Sequence, residues 1–274
     1  MSTPRPDSVL GRSDPVPGRV EMAGMSTSGQ RTRVPASPSW WARRLDPDNS
    51  PGLRLTLAAT AAFLVLVPFA LLALLVLGSW PPLHRLDASV AQALHGYAVD
   101  HPGWVGFMTV WTHALGPGPL RVAALAVVVW LFARRASRLA WWAATTMAVG
   151  GLLGALLKLL VGRDRPNLPD PVGWATGYSF PSGHALNAAL AAGVLLVVFL
   201  PYARTRPARR WALWVAAAVL TGLTGVSRMA LGVHYASDVV GGWVLGAATV
   251  AATTAAFRTW GSPGPAGRAR TPAA

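Results

Sequence analysis

Residues 139–166 read LAWWAATTMAVGGLLGALLKLLVGRDRP. From Leu139 to Leu157 this stretch holds no charged side chain. A helix that long crosses a hydrocarbon core of about 30 Å. The chemistry then changes abruptly, with Lys158, Gly162, Arg163, Asp164, Arg165 and Pro166 in close succession. Gly162 and Pro166 end helices, so Lys158 should lie about one turn below the end of a membrane span. The stretch predicts an all-α, polytopic membrane protein, and the rest of the chain repeats its pattern.

Working outward, six apolar segments of spanning character lie near 55–78, 119–134, 139–161, 183–202, 211–229 and 236–257. The second is short. Hydrophobic residues make up 53% of the 274 and charged ones 12%, the balance of a membrane protein rather than a soluble domain. The formal net charge of +14 could suggest a nucleic-acid partner. The arginines, however, cluster in short loops between apolar segments and not on one soluble face, so no nucleic acid is expected. The groups are Arg43, Arg44 and Arg54; Arg134, Arg135 and Arg138; Arg204, Arg206, Arg209 and Arg210; and Arg258, Arg268 and Arg270. With six spans all four groups fall on one side, which the positive-inside rule makes cytoplasmic, with both termini.

Four further readings concern organisation. Residues 1–52 and 259–274 are expected to be disordered cytoplasmic tails flanking a membrane domain of 53–258, with Met22 and Met25 as alternative starts. Leu86 to Tyr97 reads as an amphipathic helix along the outer surface, within a loop of 79–118 that should line the entrance to any site there. Trp80, Trp104, Trp141, Trp142, Trp211 and Trp214 fall at span ends, as belt residues do. The pairs Gly150/Gly154 and Gly242/Gly246 suit close helix packing.

Three polar clusters end on the side opposite the arginine groups. The first is Lys158 with Arg165-Pro166; taken alone, a boundary lysine also fits one that simply snorkels to water. The second is Pro181-Ser182-Gly183-His184, ordinary capping chemistry but also a helix N-terminus able to hold an anion. The third is Ser227-Arg228 with His234 and Asp238, an i,i+4 pair in which a carboxylate can fix an imidazole tautomer. After Asp170 that carboxylate is the last in the chain, and it sits at an apolar boundary where an idle charge is costly. Three cations, two histidines, a carboxylate and a helix N-terminus suit the oxygens of a transferring phosphoryl group.

Lys-x6-Arg-Pro, Pro-Ser-Gly-His and Ser-Arg-x5-His-x3-Asp resemble, in order and without departure, the three signatures of the type 2 phosphatidic acid phosphatase (PAP2) superfamily. The resemblance covers residues 53 to 257. It implies a six-helix membrane phosphatase, free of metal and cofactor, that acts on a lipid phosphate or diphosphate at the extracytoplasmic surface. Undecaprenyl diphosphate, phosphatidic acid and phosphatidylglycerol phosphate are candidate substrates. Carried over by motif, His234 would be the nucleophile, Asp238 its orienting partner and His184 the acid and base. Lys158, Arg165, Arg228, Ser182 and Gly183 would hold phosphate. Arg163, Asp164 and Tyr178 fall outside the matched positions and receive no role. A phosphotransferase passing the group to a lipid or sugar shares these motifs, as would a non-catalytic scaffold or transporter on the same fold. The four histidines His84, His95, His101 and His113 read as loop residues, since their spacing puts no pair on one helix face. Oligomeric state is not legible.

Overall fold

A computed structural model describes residues 50–259, and all its regular elements are helical. Contacts divide the chain into Met1–Pro38 and Ser39–Ala274, and only the second unit contains described residues. The expected tails lie outside these residues, apart from Ser50 to Gly52 and Thr259, as do Arg43, Arg44, Arg268, Arg270, Met22 and Met25. The helices are α1 (Ser50–Leu77), α2 (Pro81–Asp100), α3 (Pro102–Ala114), α4 (Pro117–Ala133), α5 (Ser137–Val161), α6 (Gly183–Phe199), α7 (Pro207–Ala230) and α8 (Ala236–Thr259). A 3-10 turn, Leu200–Ala203, extends α6.

Five stretches are long and apolar enough to cross a membrane: Pro102–Ala133, Ser137–Val161, Gly183–Ala203, Pro207–Ala230 and Ala236–Phe257. The chain is a multi-pass membrane protein. The sixth candidate pairs Leu66–Leu77 with Pro81–Asp100, bent by 88°. With 28 residues, α1 alone has the length of a span. The bend follows Gly78 and Ser79, the latter at φ 50, and Pro81 starts the next helix.

The second span is not confined to 119–134. It begins at Pro102, and α3 and α4 together form it, interrupted at Leu115-Gly116. Pro117 opens α4, where its missing N–H costs nothing. The break lets the halves lean differently: α3 packs on α2 and α7, whereas α4 packs on α5 and α6.

The central helix is α6, in contact with α4, α5, α7 and α8, and α1 lies along α8. Small residues set these distances. A Cβ at Gly150 would lie 2.5 Å from Leu190, and one at Gly246 would lie 2.6 Å from that of Ala189. Both glycine pairs therefore pack against α6, as small residues do between membrane helices. Trp142 departs from the expected belt: it is buried in a cluster with Val128, Leu131, Val194 and Val198. Trp80, Trp141, Trp211 and Trp214 are exposed.

The expected amphipathic helix forms, with a corrected orientation. Its buried face is Asp87, Ala91, His95 and Ala98, while Leu86 and Tyr97 point outward. Residues 79–118 are largely α2 and α3 and not an open loop. Among the four histidines placed there, His84 and His95 lie on α2, His113 lies on α3, and His101 sits between them.

Candidate active site

Each cluster is delivered by a helix end. α5 stops at Gly162, whose φ of 62 is left-handed and whose N–H reaches Lys158 O at 3.0 Å. Lys158 thus sits in the last turn with its ammonium at the rim, donating to Tyr178 O at 2.6 Å. The loop from 162 to 182 returns to α6 and is pinned by Phe180. That side chain is fully buried against Gly241, where a Cβ would come within 2.7 Å of the ring, and it stacks on Phe69. Burying a ring of this size is worth about 1.5–3 kcal/mol in packing. Ser182 N–H then donates to the main-chain oxygen of Asp238 at 2.9 Å, joining the start of α6 to the start of α8.

The result is one cavity of about 680 Å³. Lys158, Arg165, Gly183, His184, Arg228 and His234 all line it, although they come from three separate stretches of chain. The first-turn N–H groups of α6 lack intrahelical acceptors at the same place. Ser182 behaves differently. It is fully buried, and its hydroxyl has no hydrogen-bond partner, so the wall at this point is Gly183 and His184. Asp238 stands behind His234, fully buried.

Hydrogen bonds define the state of His234. Arg165 Nη1 lies 3.2 Å from His234 Nε2. A guanidinium has no acceptor, so Nε2 must offer its lone pair and Nδ1 must carry the proton. Nδ1 then faces Asp238 Oδ2 at 3.4 Å, which also accepts from Tyr235 N–H at 2.9 Å. The nitrogen turned toward the cations is thus the basic one. Burial pushes the imidazole down to about 4, and the hydrogen bond and charge of Asp238 only partly oppose this. His234 is neutral at neutral pH.

The cations are held by fixed protein groups. Arg165 donates to Gly177 O at 2.8 Å, Val233 O at 2.7 Å and Thr176 O at 2.9 Å. Burial holds its pKa below the ordinary arginine value, with Asp238 pulling the other way. Arg228, buried in the last turn of α7, donates from Nη1 to Thr112 Oγ1 of α3 at 3.0 Å, and its Nε has no partner. His184 abuts the α3–α4 break, where a Cβ on Gly116 would come within 3.3 Å of Nε2. The break that splits the second span thus leaves room for this ring.

Sequence reasoning missed three groups. Thr112 orients Arg228 from a stretch taken as loop. Arg163, given no role, makes ion pairs with Asp87 and Asp238, both at 2.7 Å. Asp87, a polar position of the Leu86–Tyr97 helix that received no role, is buried. One signal was present: Asp87 and Arg163 are charges of opposite sign at an apolar boundary, where each needs a partner.

This helical core, with its cluster of cations and histidines at one end, defines a class of membrane protein. Residues 139–262 match the model of the PAP2 superfamily. The chain is 36% identical over 95 residues to phosphatidylglycerophosphatase B of Bacillus subtilis (strain 168), covering 35% of this chain and 46% of that protein. It is 37% identical over 100 residues to an undecaprenyl-diphosphatase of Sulfolobus acidocaldarius, covering 35% and 44%. Against lipid A 1-phosphatase of Rhizobium etli it is 34% identical over 111 residues, covering 37% and 43%. The matches thus span under half the length of these relatives. The fold likeness reaches further. The crystal structure of a transmembrane PAP2-type phosphatidylglycerolphosphate phosphatase from Bacillus subtilis superposes with a TM-score of 0.60 at 26% identity, covering 71% of this chain and 94% of that one.

Proposed function

We propose that the protein is an integral-membrane phosphatase that hydrolyses a lipid phosphate or diphosphate through a phosphohistidine intermediate. The observation that carries this reading is the shared cavity, in which the basic Nε2 of His234 sits among Lys158, Arg165, Arg228 and His184. The relatives named above, each called a lipid phosphatase, support the substrate class.

In the first step His234 Nε2 attacks phosphorus. The N–P bond forms as the P–O bond to the lipid breaks, and His184 gives its proton to the departing oxygen. The leaving product is a lipid alcohol, or a lipid monophosphate when the substrate is a diphosphate. In the second step water attacks phosphorus and gives a proton to His184. The N–P bond breaks, inorganic phosphate leaves, and His234 recovers its lone pair. Lys158, Arg165 and Arg228 meet the charge on the three equatorial oxygens, with the N-terminus of α6 as a further donor. Asp238 holds the Nδ1–H tautomer and offsets the charge that develops on the ring. These cations supply the role a metal would otherwise fill.

The arginine-rich turns lie at the opposite end of the helices, so the positive-inside rule supports an extracytoplasmic site and cytoplasmic termini. Phosphate release from lipid mono- and diphosphates in nanodiscs, in EDTA, tests the proposal. Wild-type protein should turn over and His234→Ala should not. Activity that survives the substitution, or that needs a divalent ion, refutes the mechanism.

A further inference from the structure

We propose that Arg163 is a positioning residue for the His234–Asp238 pair, locked in place by Asp87 of α2. The inference rests on the reading of His234 as nucleophile.

Arg163 and Arg165 stand two residues apart but face different tasks. Arg165 lines the cavity and touches His234 Nε2. Arg163 lies behind the pair, with its side chain 8% exposed and its guanidinium 4.2 Å from the ring centre of Tyr235. Its Nη1 donates to Asp238 Oδ1 and to Ser237 Oγ, both at 2.7 Å. Its Nη2 donates to Asp87 Oδ2 at 2.7 Å. Asp87 in turn accepts from Ser237 N–H at 2.9 Å and from Ser237 Oγ at 2.5 Å. Burial opposes charge on Arg163, yet the two carboxylates together hold its pKa above the ordinary value.

A carboxylate held on one oxygen can rotate. Asp238 is held on both: Arg163 takes Oδ1, leaving Oδ2 to meet His234 Nδ1 and Tyr235 N–H. The same guanidinium keeps two buried carboxylates from facing each other unpaired, which would be costly. Asp87 also grips the main chain at the start of α8, so α2 is tied to the catalytic pair both through Ser237 and through the Arg163 guanidinium. A flexible point charge could not bridge these partners, so lysine should be a poor substitute.

The test uses Arg163→Gln, Arg163→Lys and the double variant Asp87→Asn with Arg163→Gln, which removes the buried ion pair as a unit if the single change fails to fold. Three quantities are read: kcat and KM for a lipid phosphate, the inhibition constant of inorganic phosphate, and the acidic limb of kcat/KM. kcat per folded molecule should fall by about 10- to 100-fold, the loss typical of removing a group that orients a reactive ligand. KM and the phosphate constant should move by less than about threefold, as no ground-state contact to phosphate is lost. The acidic limb should move to higher pH, because the charge of Asp238 then acts on His234 without the guanidinium beside it. Arg163→Lys should recover part of kcat. The proposal is overturned if the limb stays in place, if activity drops only in step with folded protein, or if phosphate affinity falls with kcat, which would make Arg163 a phosphate ligand. His234→Ala separates the two readings. If it stays active the nucleophile reading fails, whereas an inactive His234→Ala beside a normal Arg163→Gln overturns only this inference.

Discussion

The two ends of the helical bundle use the same side chain in opposite ways. At one end Arg134, Arg135, Arg138, Arg204, Arg206, Arg209 and Arg210 are all exposed, on turns a few residues long. At the other, Arg163, Arg165 and Arg228 are buried or half-buried, each held by carbonyls, carboxylates or a hydroxyl. Exposed guanidiniums are solvated and screened, so their value lies in their number and side. Buried ones lose hydration and must be repaid by fixed partners, and that same fixing preorganises them for an anion. Charge count therefore says little about function here; fixation separates a topology signal from a binding site.

The contrast breaks most visibly by deleting a charge at the site end. Lys158→Ala or Arg228→Ala should cut kcat by about 10²- to 10³-fold, the cost of removing one donor from a developing oxyanion. The protein should still insert, with unchanged elution from a sizing column. A Lys158→Ala protein with near-normal turnover would return this residue to the role of a lysine that only snorkels.

A smaller effect should come from pH. His234 has a folded-state pKa of about 4, depressed from 6.5. A group depressed on folding leaves stability intact above its unfolded value and lost below it. Melting temperature in detergent should therefore hold above about pH 6.5 and fall between there and pH 4. His234→Asn should flatten that decline. His234 should stay unprotonated to well below pH 6, so any loss of kcat/KM near pH 6.5 must come from another group or from the substrate.

The smallest effect is expected at the other end. Arg135→Gln or Arg204→Gln should leave kcat and KM within about twofold, since exposed substitutions rarely perturb a distant site. Turnover lost on either change would show that the two ends are coupled and would sharpen the comparison into a different one.

The local features were legible because they depend on near neighbours. The apolar runs, the helix stop at Gly162 and the i,i+4 spacing of His234 and Asp238 need no knowledge of the fold. Asp87 was not legible as a buried anchor. Its partners, Arg163 and Ser237, lie 76 and 150 positions away, and its own helix reads as surface amphipathic. The upper half of the second span was missed because Pro117, Gly116 and His113 break the apolar run, whereas tertiary packing continues it through α3. Trp142 looked interfacial by position and is core by packing.

The sequence by itself determined that the chain crosses a membrane several times and that three polar clusters meet at one end. Hydrophobic length and alternating topology demand both, whatever the helix packing. Only the tertiary structure decided which nitrogen of His234 is basic, which arginine faces the cavity and which stands behind it. Those outcomes depend on hydrogen bonds between residues far apart in the chain, and sequence spacing carries no record of them.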